Sequence, residues 1–452
     1  MIPGGMRVEK TLIFSSVSEV RFGKVLRFII PTYLTSLFNT LYTIVDGIFV
    51  SAYVGTNALA AINIVYPIVN VLYGIALIFA TGGSAVAALL IGARREQEAN
   101  RAFSVSLFCS LLLGCGVALL VGWNLNAVLD GLGATPATMA DCQVYAIWWL
   151  MGAPLVVGKE VFTYFIRVDG APTYSFLTAL AGGICNIVLD YLLVARLDMG
   201  IQGAAAATIL GLLLSFCMGI FYFAARKKIF CLTVEGLTPS LAGRCMVNGL
   251  SECVNQLAIA ITTVVFNRTA MAFAGEDGIA AVSIIMYLQF LVIGIYFGFS
   301  MGIAPPLGYA YGDGQRDVCR ILESYARRFL SVAPFVLYGM TYFLAPLGVS
   351  FFAQPQSSVY TLAVSGMRWY GLGFLFSGVS IFSAIRFMAY GKGHLSGVIT
   401  FLRSFALLLL FLTLLPGVWD LNGVWLAAPF AEGITLLVTL AMTYLDTKRE
   451  EP

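Results

Sequence analysis

Two acidic residues sit where acids are expensive. Asp46 lies in NTLYTIVDGIFV and Asp190 in GGICNIVLDYLL, each surrounded by apolar or uncharged neighbours. An ionised side chain in the middle of a hydrocarbon layer costs roughly 3 kcal/mol on insertion scales, so one that persists has a partner, water or a job. Asn186 precedes Asp190 by one helical turn, which puts both on one helix face. A carboxylate one turn from an amide oxygen is the start of a site for a hard cation, because such ions take oxygen ligands. Thr208 and Tyr145, in neighbouring apolar runs, would add hydroxyl oxygens. The plainer use of an Asp–Asn pair is to hold helices together by hydrogen bonding. Asp46 has no basic neighbour within its own run, and Pro31 precedes it by about 22 Å of helix, near the opposite end of that run.

A second group of polar residues interrupts the apolar runs further on: Glu252, Asn267 and Arg268, then Arg403, then Glu432. Glu252 stands near a run's entrance, where it is either embedded or at the water boundary. Lys159 and Glu160 are adjacent, and neighbours on a helix do not face each other, so each is expected to pair with another helix. Aromatic residues such as Phe38, Tyr42 and Trp148 have the faces to hold flat organic cations by cation–π contact, although most aromatics in such a chain face lipid or other helices. Of these, Tyr42, Phe38, Trp148, Glu252 and Asn267 are the candidates for lining a substrate cavity.

The elements that must position these groups follow from composition. The chain has 452 residues, of which 60% are hydrophobic and 11% charged, with a mean hydropathy of +0.90. A soluble domain carries about 25% charged residues, so water is not this chain's main solvent. Its apolar runs repeatedly exceed the ~20 residues that cross a hydrocarbon core. Twelve such runs lie between about residue 25 and residue 445, and several are long enough to require tilt or bends, for which Pro31, Pro67, Pro154, Pro305 and Pro306 are candidates. The fold class is therefore all-α and polytopic. Nine cysteines without a CxxC pair and a single histidine, His394, argue against a disulfide framework, a zinc site and a histidine-based catalytic centre. Neither HExxH, clustered histidines nor a Gly-rich phosphate loop is present, so no cofactor and no enzymatic activity are expected. Nothing points to nucleic acid, and the polar stretch 1–24 lacks the apolar core of a cleaved signal peptide.

Basic residues set the orientation, because positively charged loops stay on the cytoplasmic side. Of the 26 lysines and arginines, 21 fall before span one, after the even-numbered spans, or in the joining segment that holds Arg226, Lys227, Lys228 and Arg244. Only Arg196 and Arg368 lie in the opposite loops, so both termini are expected in the cytoplasm. Shifting the sequence by 220 residues lays Gly55, Gly74, Gly82 and Gly92 over Gly275, Gly294, Gly302 and Gly312, and Gly203 over Gly423. Small residues recur in membrane helices for packing reasons, but a fixed register over separated regions requires a repeat. Six spans separate the copies, giving two pseudo-symmetric six-helix bundles around a central cavity, an arrangement of transporters. The expected divisions are an N-terminal lobe at 1–225, a cytoplasmic linker at 226–245 and a C-terminal lobe at 246–452. The acids are not repeated, since Phe266 and Leu410 stand at the positions matching Asp46 and Asp190.

With these features together, the chain resembles the multidrug and toxic compound extrusion (MATE) family over nearly its whole length, particularly the prokaryotic DinF-like or MepA-like branch. The resemblance rests on Pro31 with Asp46, the stretch RVDGAPTYSFL, Asn186 with Asp190 in NIVLDYLL, and GIQGAAAATILG with Thr208. It implies that Asp46, Asn186, Asp190, Thr208 and Tyr145 form a site for a proton or sodium ion, the sodium being held by Asp46, Asn186, Asp190 and Thr208. It also implies that Pro31 marks the bend of span one. Glu252 resembles a C-lobe acid of another branch, but span ten (MRWYGLGFLFSGVSIFSAI) lacks a carboxylate to partner it. The implied activity is a monomeric antiporter in the prokaryotic inner membrane, exporting small organic cations or other amphiphilic drugs in exchange for H+ or Na+. The rival within the superfamily, a flippase for lipid-linked precursors, needs a cationic cavity for pyrophosphate, and Lys159, Arg268 and Arg403 are few for that. A receptor or scaffold would not need deep acids on two helices of one lobe.

Overall fold

The computed structural model describes residues 20, 22–54, 56–224 and 229–450, without the side chains of residues 40, 41, 43–52, 56, 57, 59, 449 and 450. The expectations on Arg7, Lys10, Arg21 and the basic run 226–228, and on the side chain of Asp46, fall outside the described residues.

Among the described residues all regular structure is helical. Span one is α1 (Phe22–Tyr53), span two α2 (Thr56–Gly92) and span three α3 (Glu96–Trp123). Span four is a bent pair, α4 (Met139–Met151) and α5 (Ala153–Val168), meeting at 49° beside Gly152. Pro154 starts the second piece, where its missing N–H is not needed, so the expectation of a proline bend holds here. The helices run on through Pro31, Pro67, Pro305 and Pro306. Span five joins α6 (Pro172–Leu189) to a π-helical turn at Asp190–Arg196, and span six is α7 (Gly200–Ala224).

Spans seven and eight form α8 (Pro239–Gly312), whose 74 residues would measure ~110 Å if straight, far beyond a hydrocarbon core of ~30 Å. Gly275 divides it with φ 61 and ψ −147, a backbone conformation that glycine adopts without a Cβ penalty. Both ends of α8 approach the same stretch of α2, at Ile78 and at Leu89, so the chain folds back at Gly275. Then come α9 (Arg316–Ser350), α10 (Ser358–Tyr370) continuing into α11 (Phe374–Ala389), α12 (Gly393–Phe401) with a π turn at Leu402–Ala406 and α13 (Leu407–Leu414), and α14 (Pro416–Glu450). These supply spans nine to twelve.

The seam between the halves is mainly α2 against α8. It closes tightly at the end that carries most of the basic loops, hereafter the basic end, because glycines let backbones meet. A Cβ on Gly82 would strike the Cys245 carbonyl, and one on Gly249 the Ile78 carbonyl. A Cβ on Gly92 would strike the Tyr309 carbonyl, and one on Gly312 the Leu89 carbonyl. Gly92 and Gly312, like Leu89 and Tyr309, are 220 residues apart, so this second pair of contacts is its own image under the sequence repeat. Hydrogen bonds also cross between the halves, from the Tyr309 hydroxyl to the Val168 carbonyl of α5, from Asn248 Nδ2 to the Gly82 carbonyl at 3.5 Å and from the Tyr325 hydroxyl to the Val20 carbonyl at 3.2 Å. Toward the other end the helices are less covered: Tyr66 on α2 and Tyr287 on α8 are exposed.

Candidate functional site

Within the first half, α6 and α7 pack along each other, and the π turn that begins at Asp190 lies on α1, α6 and α7. Packing between α6 and α7 is close because glycine meets glycine: Gly182 and Gly211 leave no room for a Cβ against each other's backbone. A π turn widens the helix by one residue and changes the direction of the side chains that follow, a distortion found often at functional positions. Here it starts at the acid itself.

Asp190 is fully buried and Asn186, one turn earlier, is 3% exposed. Asn186 Nδ2 approaches Thr208 Oγ1 on α7 at 3.4 Å, while Thr208 donates to the Ala204 carbonyl at 3.1 Å. The Asn186 side-chain oxygen has no hydrogen-bond partner among the described residues. Buried amide oxygens are nearly always satisfied, so this one is an acceptor in search of a donor or a cation. Asp190 and Asn186 are thus buried one turn apart on span five, and Asn186 reaches the half-buried Thr208 of span six; carboxylate, amide and hydroxyl oxygens are the donor types a proton or a hard cation takes. Asp46 lies on α1, the helix against which this turn packs.

The other residues named from the sequence are distributed as follows. Tyr145 is buried in the apolar core of α4, its ring 6.3 Å from that of Trp149, with Trp148 partly buried beside the same core. Phe38 lies over Gly183 on α6, with its ring 6.1 Å from Tyr42. Thr35 donates to the Pro31 carbonyl at 2.8 Å, occupying the acceptor one turn before it in α1. Glu252 is buried on α8, and Asn267 is half-buried with its side-chain oxygen unpartnered among the described residues. Arg268 is exposed.

The expectation for Lys159 and Glu160 is corrected: they pair with each other, Nζ to Oε1 at 2.6 Å, both under 10% exposed. Adjacent positions point about 100° apart on a helix, but the four-carbon lysine stem is long enough to curl round to its neighbour when burial makes an unpaired charge costly.

The second half builds a different centre at the corresponding helices. Arg403, in the π turn Leu402–Ala406, pairs with Glu432 on α14 at 2.7 Å, and Ser404 donates to Asn255 on α8 at 3.0 Å. The Tyr370 hydroxyl donates to the Gln289 side-chain oxygen. Sequence reasoning found Arg403 and Glu432 singly and missed that they are partners; the available signal was one base and one acid in two consecutive apolar spans.

The stretch RVDGAPTYSFL proves to be a clamp. Arg167 donates to Ser175 at 3.2 Å, and Asp169 accepts from the Tyr222 hydroxyl at 2.5 Å and from the Ile229 backbone at 2.9 Å. The segment beyond is held on α3, Cys231 N–H to Asn100 and Thr233 N–H to Ser104.

Twelve apolar spans in two repeated halves, with a buried ion pair in each half, define a polytopic membrane transporter. The family model described as MatE matches residues 31–192 and 252–442, most of the chain, and the protein belongs to that family. It is a transporter and not an enzyme. A similar curated protein is the multidrug export protein MepA of Staphylococcus saprophyticus subsp. saprophyticus, 23% identical over 444 residues that cover 97% of this chain and 96% of the relative. Among solved structures, an outward-facing conformation of a multidrug resistance MATE family transporter of the MOP superfamily superposes with a TM-score of 0.88 at 23% identity, covering 94% of this chain and 95% of the other. A MATE crystal structure in complex with MaL6 gives 0.90 at 22% identity, covering 97% and 98%.

Proposed function

We propose that this chain is an antiporter that exports organic, often cationic, drugs or toxic compounds from the cytoplasm in exchange for H+ or Na+. The observation that carries the reading is the buried Asp190 one turn after the buried Asn186, whose amide meets Thr208 at 3.4 Å and whose side-chain oxygen is unpartnered among the described residues. A cation arriving at this acid neutralises a charge that burial makes unfavourable, so the state with the site loaded packs differently from the state with it empty. Asp46 joins the site from α1, with Tyr145 adding a hydroxyl, and α1 repacks around Pro31 as the charge is cancelled. The lobes 1–225 and 246–452 then exchange access, joined by the linker 226–245. Drug bound between Phe38, Tyr42, Trp148, Glu252 and Asn267 leaves as the cation enters. Coupling follows only if cation and drug prefer opposite states.

The sealed glycine seam supports an assignment of access state. With the basic end closed and Tyr66 and Tyr287 exposed toward the other, the conformation is open to the outside of a prokaryotic plasma membrane whose cytoplasmic face carries the basic loops. The relative's description as a multidrug export protein is consistent with this direction of transport. The test is efflux of ethidium from proteoliposomes with sodium and proton gradients imposed separately. Efflux driven by one gradient and lost when both are collapsed is expected; efflux indifferent to both would end the antiport reading.

A further inference from the structure

On the outer surface of the basic end, α1 and α9 flank a groove of about 550 Å³ and bridge it at one point, where the Phe22 and Tyr325 rings lie 5.3 Å apart. Its floor is the stacked pair Phe299 and Phe329, with ring centroids 4.0 Å apart, and Ile30 and Tyr33 of α1 form one wall. Ile30 is 48% exposed, so the groove opens outward. Arg328 is the one charged residue lining it, and it is exposed with no ion pair among the described residues. The neighbouring Arg327, by contrast, pairs with Glu323 at 3.8 Å.

The level of Arg328 along the membrane normal follows from the sequence. From Phe329 to Ser350, α9 carries no charge, a length of ~33 Å that matches a hydrocarbon core. Arg328 therefore stands where that core ends, at the depth of lipid phosphates, with apolar surface below it. A guanidinium at this depth matches a phosphate in geometry as well as charge. The repeat lacks this feature, because Phe108 occupies the position 220 residues before Arg328.

We propose that the groove is a binding site for one anionic phospholipid of the leaflet at the basic end. An acyl chain lies along Ile30, Tyr33, Phe299 and Phe329, and the phosphate sits on Arg328. Because α1 precedes the joining segment and α9 follows it, the lipid spans the two halves, and its charge gives the membrane a handle on how they move.

The test uses the full chain in nanodiscs with Ile30→Trp as a reporter, reading the quenching it adds over the unaltered chain. Brominated phosphatidylglycerol is compared with brominated phosphatidylcholine. The anionic lipid should be preferred by about five-fold, the size expected of one basic residue at a lipid surface. Arg328→Gln should remove the preference, Arg328→Lys should keep part of it, and Arg327→Gln should leave it intact. Equal quenching by both lipids before Arg328 is changed, or an undiminished preference in Arg328→Gln, overturns the proposal. Quenching by neither overturns it too, and would put a segment of protein in the groove.

Discussion

The two halves answer the same problem, a charged group inside a membrane bundle, in different ways. In the first, Asn186 on span five, one turn before the buried Asp190, meets Thr208 on span six at 3.4 Å. In the second, Arg403 on span eleven meets Glu432 on span twelve at 2.7 Å. Spans five and eleven correspond under the repeat, and each widens into a π turn at its charged residue, although not at the same level. The second half thus carries its cation covalently, as a guanidinium, whereas the site proposed for the first takes one that comes and goes. A tethered cation stabilises a fold at all times; an exchangeable one makes the packing depend on the surroundings.

The sharpest way to break this contrast is Asp190→Asn, which is expected to reduce gradient-driven efflux to the background of empty vesicles while the protein stays folded by size exclusion. Removing the tethered cation should act on stability instead. Arg403→Met leaves Glu432 buried without its partner and is expected to cost about 3–5 kcal/mol, measured by denaturation in detergent. Adding Glu432→Gln should recover most of that loss. Smaller still is Gly92→Val, which puts atoms where the Tyr309 carbonyl lies and is expected to favour the open basic end by roughly 1–3 kcal/mol, read as increased labelling of cysteines introduced at the seam. The mildest change is Thr208→Val, which removes one hydroxyl and should weaken cation affinity about five-fold, or ~1 kcal/mol, by titration of efflux against driving ion.

Much of the fold was legible in the sequence because lipid imposes simple rules on length and charge. Run lengths gave twelve spans, and the offset of 220 reappears in space where Gly92 meets Tyr309 and Gly312 meets Leu89. Spacing alone put Asn186 and Asp190 on one face, and the proximity of Thr208 confirmed the helix pair. Pairings within and between spans were harder. The Arg403–Glu432 partnership depends on a π turn that no residue pattern announces, and the Lys159–Glu160 contact depends on a long flexible stem rather than helix geometry. Of the prolines named from the sequence, Pro154 starts the second piece of the bent span four, whereas α8 reverses at a glycine that no proline rule announces.

The central claim is that loading the acid in the first half changes which end of the bundle is open. Spin labels at Arg95 and Arg320, exposed positions just after spans two and eight, would report the separation of the halves at the basic end by pulsed electron resonance. In the native background, adding or removing the driving cation should shift the distance distribution, and in Asp190→Asn the distribution should no longer respond. A shift of equal size in Asp190→Asn would contradict the account, because the switch would then lie somewhere other than this acid.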